Sequence, residues 1–421
     1  MELNELNQLI TNINTTIVLL FCAMTAYQYL YILVSIVFPP RRFKAKRQHR
    51  FAALICARDE EAVIGNLIES IKRQSYPAEL IDIYVMADNC TDDGTKNAAL
   101  RAGATVYERQ DKTKVGKGYA LDCLLGIIRA ARGEEYYDGY FVFDADNLIA
   151  SDYVERMNEV FDNGYRVVTS YRNSKNFGRN WITAGYGLMF MREARHMNNA
   201  RMILHTSCVV SGTGYLVHRD IINEKGGWPY HLLTEDLEFS MERIVDGEKI
   251  GYCHDAVFYD EQPTSFAVSW RQRIRWAKGF MQALLKHGWQ MVCGMFKRKS
   301  AFSCFDEAMS TLPTVILSVF GTLSIASMVV TAVLCKNPLE VLSQLGIYLL
   351  GIYGVQYLLG ILTVITEWKK ISAPAWKKIF FTFTFPLFVM VGIPITVVAL
   401  FAPAKWKPIK HEDTTTITEL E

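Results

Sequence analysis

Gly139-Tyr-Phe-Val-Phe-Asp144-Ala-Asp146 joins an apolar segment to a pair of acidic residues. Tyr140–Phe143 is a short apolar run that reads as a buried strand, and it leads directly into two carboxylates. Side chains on a strand repeat with period two, so Asp144 and Asp146 can both turn toward one ligand. Their charges suit a hard divalent cation, Mg²⁺ or Mn²⁺, which prefers oxygen and often shares its shell with phosphates. Taken alone, the spacing fits equally well two surface aspartates at a strand-to-helix turn, with Asp146 capping the helix that follows.

Upstream the same alternation recurs. Ala52–Cys56 reads as a strand, Ala62–Gln74 as a helix ended by Pro77, and Ile81–Ala87 as the next strand. A helix from Thr95, a short strand at Thr105–Tyr107 and a helix over Ala120–Arg132 lead back to the opening stretch. From Phe51 to about Gln262 this predicts an α/β layer on a mostly parallel sheet, in which ligands bind beyond the carboxyl ends of the strands. Each strand ends in polar residues there: Arg58-Asp59-Glu60, Asp88-Asn89 and Asp144-Ala-Asp146.

Asp88-Asn-Cys-Thr-Asp-Asp-Gly-Thr95 offers hydrogen-bonding groups and a glycine between strand and helix, suited to a polar ring and ribose or equally to a helix cap. Lys117, between Gly116 and Gly118, is a cation beside backbone that can approach an anion; the Walker A glycine and hydroxyl are missing. Thr234-Glu-Asp236 opens a helix, where carboxylates either satisfy the helix dipole or, at Asp236, serve as a general base to an acceptor hydroxyl. Phe266–Lys286 reads as a helix with Gln272, Arg275 and Trp276 at i, i+3 and i+4, hence on one face. A glutamine, a fixed cation and a flat indole suit a diphosphate and a sugar ring, and the same helix can lie on a membrane surface.

The 421 residues are 50% apolar and 21% charged, with 45 Lys and Arg against 43 Asp and Glu. That balance excludes a disordered chain and a disulfide-stapled miniprotein, and gives no warrant for nucleic-acid binding. The nine cysteines are scattered and read as reduced thiols. The charge-free runs Ile17–Phe38, Ala308–Cys335, Val341–Thr366 and Ile379–Ala404 are each long enough to cross a bilayer. Arg41, Arg42, Lys44, Lys46, Arg47 and Arg50 follow the first run, which places the centre of the chain in the cytoplasm. Counting crossings from there puts the Glu367–Lys378 link inside but leaves Lys405, Lys407 and Lys410 outside. A break at Pro386 or Pro394 that makes the last run re-entrant would bring them back. The expected layout is a helix and basic collar (1–50), an α/β domain (51–265), interfacial helices (266–307), three membrane segments (308–404) and a polar tail (405–421).

Taken together and in order, Asp88, Asp144-Ala-Asp146, Thr234-Glu-Asp236 and Gln272-Arg-Ile-Arg-Trp276 between membrane spans resemble the membrane-integrated family 2 glycosyltransferases, which include cellulose, hyaluronan, chitin and poly-N-acetylglucosamine synthases. The resemblance implies a GT-A domain that transfers a sugar from a UDP-sugar with inversion, using Mg²⁺ or Mn²⁺. By position it implies that Glu60 and Asp88 hold the uridine, Lys117, Gln272 and Arg275 the diphosphate, Asp144 the nucleotide sugar and Asp146 the metal. Asp236 would be the base, with Trp276, Glu235, Gly212 and Tyr215 around the acceptor. The expected product is a growing polysaccharide at the plasma membrane, with an oligomer or export partner helping it across, since the chain has fewer spans than such synthases generally have. Transfer of a single sugar to a lipid is the rival, because Gln-x-x-Arg-Trp also occurs in ceramide glucosyltransferases. A catalytically silent nucleotide-sugar-binding subunit is the reading from another class, and the full set of carboxylates argues against it.

Overall fold

The computed structural model describes residues 3–334, 338–403 and 408–421. Cys335, Lys405 and Lys407 lie outside the described residues; the other eight cysteines are unpaired. Two helices open the chain, α1 (Leu3–Thr25) and α2 (Tyr27–Val37). The α/β domain follows as β1 (Phe51–Ala57), α3 (Ile64–Lys72), β2 (Ile81–Asp88), α4 (Gly94–Arg101), β3 (Thr105–Arg109), α5 (Lys117–Arg132), β4 (Gly139–Asp144), β5 (Leu148–Ile149), α6 (Tyr153–Asp162) and β6 (Val167–Ser174). It continues through α7 (Trp181–Arg192), α8 (Asn199–Ile203), β7 (Tyr215–His218), α9 (Arg219–Lys225), α10 (Glu235–Val245) and β8 (Ile250–Asp260). Long helices complete it: α11 (Phe266–Gly294), α12 (Ala301–Leu334), α13 (Pro338–Thr366), α14 (Ala375–Met390) and α15 (Gly392–Phe401).

Eight strands form one sheet in the order β3-β2-β1-β4-β7-β6-β8-β5. β3, β2, β1 and β4 are parallel, whereas β7 runs antiparallel to both of its neighbours. β1, Phe-Ala-Ala-Leu-Ile-Cys-Ala, is buried on both faces, as a central parallel strand must be. Chain order reverses between β1 and β4, so the crevice at their carboxyl ends is the topological switch point. There the register sets Cys56 beside Asp144 and Ala57 beside Ala87. Arg58–Glu60, Asp88 and Asp144–Asp146 therefore emerge side by side.

Among the described residues, four helical stretches are long and apolar enough to cross a membrane: Thr11–Val37, Ala301–Leu334, Val341–Thr366 and Ala375–Phe401. The last breaks at Val391, between the two prolines at which the sequence predicts a break. Pro394 falls in the first turn of α15, where a missing N–H costs little. Both ends of this stretch rest on the rest of the protein. Lys377 donates to the Gly178 carbonyl at 2.7 Å, Phe388 packs over Gly185, and Ile395 and Ala399 of α15 pack on Ala277 of α11.

Beyond α15, residues 408–421 lie on the α/β domain: Asn66 donates to the Thr414 carbonyl at 3.0 Å and the Ser151 N–H to Glu421 Oε1 at 2.7 Å. Counting each apolar run as one crossing separates the tail from the α/β domain, and the structure corrects that separation. The physical reason is that the last run starts against the α/β domain at Gly178 and finishes against α11, which packs on that domain. At the junction with α12, Arg201 and Asp306 form a fully buried pair, Nε to Oδ2 at 2.8 Å.

Candidate active site

The site is built at the end of β4. The Asp144 N–H is held by Thr213 Oγ1 at 2.8 Å and Asn147 Oδ1 at 3.1 Å, which fixes the turn that presents both aspartates. Asp146 is buried, and its Oδ2 accepts the Glu261 N–H at 2.9 Å. Lys117 opens α5, three residues earlier than the helix read from the sequence, and reaches across to Asp144 Oδ1 at 2.5 Å and the Gly212 carbonyl at 2.6 Å. Burial alone would lower this ammonium's pKa, but Asp144 and Glu235 outweigh it and raise the pKa, so the charge is fixed.

On the β1–β2 side, Asp59 and Asn89 turn the chain in left-handed conformations, with φ of 58° and 53°. Asp and Asn tolerate this better than other residues, and such strain clusters at functional sites. Asp59 Oδ1 accepts from the backbone N–H and hydroxyl of Thr91, tying the two loops together. Asp88 is paired with Arg109 at 2.5 Å. Burial pushes the Glu60 carboxyl up to about 7, and its Oε1 lies 2.8 Å from His411 Nδ1.

α10 and α11 close the opposite side. Gly279 of α11 sits on Thr234, where an added Cβ would come 2.5 Å from Thr234 Cγ2. Glycine at that point lets the helix bearing Gln272, Arg275 and Trp276 press against the Thr234-Glu-Asp236 turn. Arg275 donates to the Leu233 carbonyl at 2.9 Å, and Gln272 Oε1 accepts from the Tyr186 hydroxyl at 2.9 Å. Trp276 stands edge-on to Tyr186 and Phe190, with centroids 5.7 and 6.2 Å away. Burial raises the pKa of Asp236 despite the Lys117 and Arg275 cations, and burial with the Asp236 charge pushes Glu235 to about 7.

These groups surround one cavity of about 400 Å³. Glu60, Asp88, Lys117, Asp144, Asp146, Gly212, Glu235, Asp236, Gln272, Arg275 and Trp276 all line it. Tyr215 does not. It is fully buried in β7, its ring stacked with Trp228 and Phe239, because the period-two alternation of the strand turns it away from the loop that Gly212 starts.

The structure adds Arg172, whose Nε is 2.8 Å from Asp260 Oδ2 and whose guanidinium covers the Phe190 ring at 3.6 Å. It also adds Met189, Phe190, Phe280 and the tail residues Pro408, Ile409 and His411 to the lining, and Arg109 as the partner of Asp88. No sequence pattern marks these residues; Arg109 reaches Asp88 because the β2–β3 register sets the two opposite each other.

A model of glycosyltransferase-like family 2 matches residues 49–279, more than half of the chain and all of the groups just described except Phe280 and the tail. The chain belongs to that family. Among curated proteins, this glycosyltransferase is 26% identical over 265 residues to a β-monoglucosyldiacylglycerol synthase of Synechocystis, covering 62% of this chain and 54% of that one. It is 26% identical over 295 residues to the probable glycosyltransferase YdaM of Bacillus subtilis, covering 64% and 63%. A poly-β-1,6-N-acetyl-D-glucosamine synthase of Staphylococcus epidermidis matches at 23% over 251 residues, covering 57% and 56%. The glycosyltransferase thus spans little more than half the length of these relatives. Among solved structures, a mannosyltransferase of Pyrobaculum calidifontis, PcManGT, bound to GDP-mannose and Mn²⁺, superposes with a TM-score of 0.59 at 15% identity, over 91% of this chain and 98% of that one. That likeness establishes the fold: a Rossmann-like GT-A domain with apolar helices.

Proposed function

We propose that this family 2 glycosyltransferase moves one sugar from a UDP-sugar, with inversion, onto a hydroxyl of a lipid acceptor at the membrane surface. The observation that carries the acceptor is the apolar wall of the cavity. Met189, Phe190, Trp276 and Phe280 line the same cavity as Asp236, and Phe388 of the apolar α14 packs with Tyr186, Phe190 and Trp276. An amphiphile entering along α14 would find apolar surface for its chain and a carboxylate for its hydroxyl. The reading of three crossing segments and a re-entrant α14–α15 supports the same acceptor, since three helices offer little room for a polysaccharide channel. With the tail on the α/β side, the positive-inside rule is met for the collar and for Lys410 together, in keeping with a cytoplasmic domain.

In this mechanism Asp236 takes the proton of the acceptor hydroxyl as its oxygen attacks the anomeric carbon in line with the departing diphosphate. Lys117 and Arg275 meet the negative charge that develops on the leaving group, from donors already fixed by Asp144 and the Leu233 carbonyl. No second nucleophilic carboxylate is required. Asp144 and Asp146 fit a hard divalent ion in charge and oxygen chemistry, with phosphate and water to complete its shell. Among the described residues no three His, Cys, Asp or Glu side chains are gathered into a ready-made cage. Bound there, Mg²⁺ or Mn²⁺ would neutralise the diphosphate.

Elongation of a polysaccharide is the second reading, favoured by the indole of Trp276 at the cavity, a natural platform for a terminal sugar, and by the poly-N-acetylglucosamine synthases among the relatives. Product size separates the two: incubation of the detergent-purified protein with UDP-sugars and membrane lipid gives one glycolipid in the first case and a saccharide ladder in the second.

A further inference from the structure

The C-terminal tail is a wall of the cavity. Pro408, Ile409 and His411 line it together with Gln272 and Arg275. The His411 ring is mostly buried, its Nδ1 bonded to Glu60 Oε1 at 2.8 Å. The next two backbone N–H groups, of Glu412 and Asp413, donate to Glu261 Oε2 at 3.1 and 2.9 Å. Glu261 in turn donates its own N–H to Asp146 Oδ2 at 2.9 Å. Farther on, Arg73 holds Thr418 Oγ1 at 2.9 Å and the Ser151 N–H holds Glu421 Oε1 at 2.7 Å. The tail is therefore docked along its length, with direct bonds to the carboxylates that follow β1 and β8.

Two further observations point to a ligand beneath it. Glu60 is buried, and its second oxygen, Oε2, has no hydrogen-bond partner among the described residues. A buried acceptor without a partner costs free energy unless a ligand supplies the donor. In addition, the cavity keeps about 400 Å³ with the tail in place, within the range of about 300–1,000 Å³ usual for ligand pockets. The tail covers the site without filling it.

We propose that His411 is a positioning residue of the donor site. It holds Glu60 through Oε1 so that Oε2 receives a hydrogen bond from the nucleoside of the bound donor, and residues 408–421 form a lid that docks after the donor has entered. The proposal rests on the reading of the ligand as a nucleoside diphosphate sugar.

The test is calorimetric titration of UDP with Mn²⁺ into full-length protein in detergent, alongside steady-state kinetics. His411→Ala should raise the Kd for UDP and the KM for the donor about tenfold, the loss of one well-placed hydrogen bond to a charged group. The acceptor KM and the kcat at saturating donor should stay within about twofold, a split that general destabilisation would not produce. His411→Gln, which keeps a donor for Oε1, should recover most of the affinity. Removal of residues 414–421, which leaves His411 in place, should speed dissociation of a fluorescent UDP. Unchanged UDP affinity in His411→Ala overturns the positioning role, and tighter binding overturns it too, because the tail would then compete with nucleotide. An unchanged dissociation rate in the truncated protein overturns the lid. If wild type binds neither UDP nor GDP with Mn²⁺, the donor reading itself falls and takes the proposal with it.

Discussion

Lys117 Nζ lies 2.5 Å from Asp144 Oδ1 and 2.6 Å from the Gly212 carbonyl, so the start of α5, the end of β4 and the loop facing Asp236 meet at one ammonium. In the proposed reaction, replacing that ammonium removes a cation from the diphosphate, and it leaves Asp144 without this partner. Lys117→Met should lower kcat/KM for the donor about 100-fold, as losses of single charge-stabilising donors do elsewhere. UDP release against donor concentration measures it.

Asp236 carries the proton transfer in the proposed reaction. Asp236→Asn should leave UDP binding within about twofold of wild type and cut kcat about 10³-fold, the range general-base removal produces. Because burial raises the Asp236 pKa, the base is lost to protonation earlier than an exposed carboxylate would be. The acid limb of kcat/KM should therefore lie above the ordinary carboxylate range. Turnover at the wild-type rate in Asp236→Asn would remove the residue from the mechanism.

Much of this is legible in the sequence, for a physical reason. Parallel strands buried on both faces announce themselves as apolar runs, and their polar ends must gather at the switch point, so the strand pattern by itself assigns Glu60, Asp88, Asp144 and Asp146 to one crevice. Gln272, Arg275 and Trp276 follow from helical periodicity alone. Arg172 and His411 are not legible, because each reaches the cavity through tertiary packing: Arg172 from a strand on the far side of β7, His411 from a tail docked 351 residues beyond Glu60. The resemblance puts Tyr215 at the acceptor with Gly212, but Tyr215 opens β7, where its side chain points into the core.

Glu235 links pH to stability. Its pKa in the folded protein is raised from the ordinary 4.5 to about 7 by burial and by Asp236. The stability associated with the neutral carboxyl is fully present below about 4.5 and is lost as pH rises through about 7. Glu235→Gln, which mimics the neutral form, should raise Tm by several degrees relative to wild type at pH 8 and change it little at pH 4.5. Thermal denaturation at the two pH values decides it.

Trp276 has Phe190 and Tyr186 at its edge and the cavity beside it. Trp276→Ala should raise the acceptor KM about tenfold or more, an aromatic contact and its burial lost together, with donor KM unchanged. Initial rates at varied acceptor and fixed saturating donor read this out, and an unaltered acceptor KM would count against the apolar wall as the acceptor's seat.

Gly279 lets α11 close on the turn before Asp236. Gly279→Ala should lift the helix, cost about 1–3 kcal/mol as overpacking does, and lower activity by displacing Gln272, Arg275 and Trp276 together.

The most direct measurement supplies the purified protein with a panel of UDP-sugars, Mn²⁺ and defined membrane lipids, and follows UDP release together with the size of the product. The account predicts lipid-dependent UDP release from at least one donor, abolished in Asp236→Asn, and a single product one sugar heavier than the lipid. Release of UDP into a ladder of lengthening saccharides would contradict the lipid acceptor, and no release from any UDP-sugar would contradict the donor.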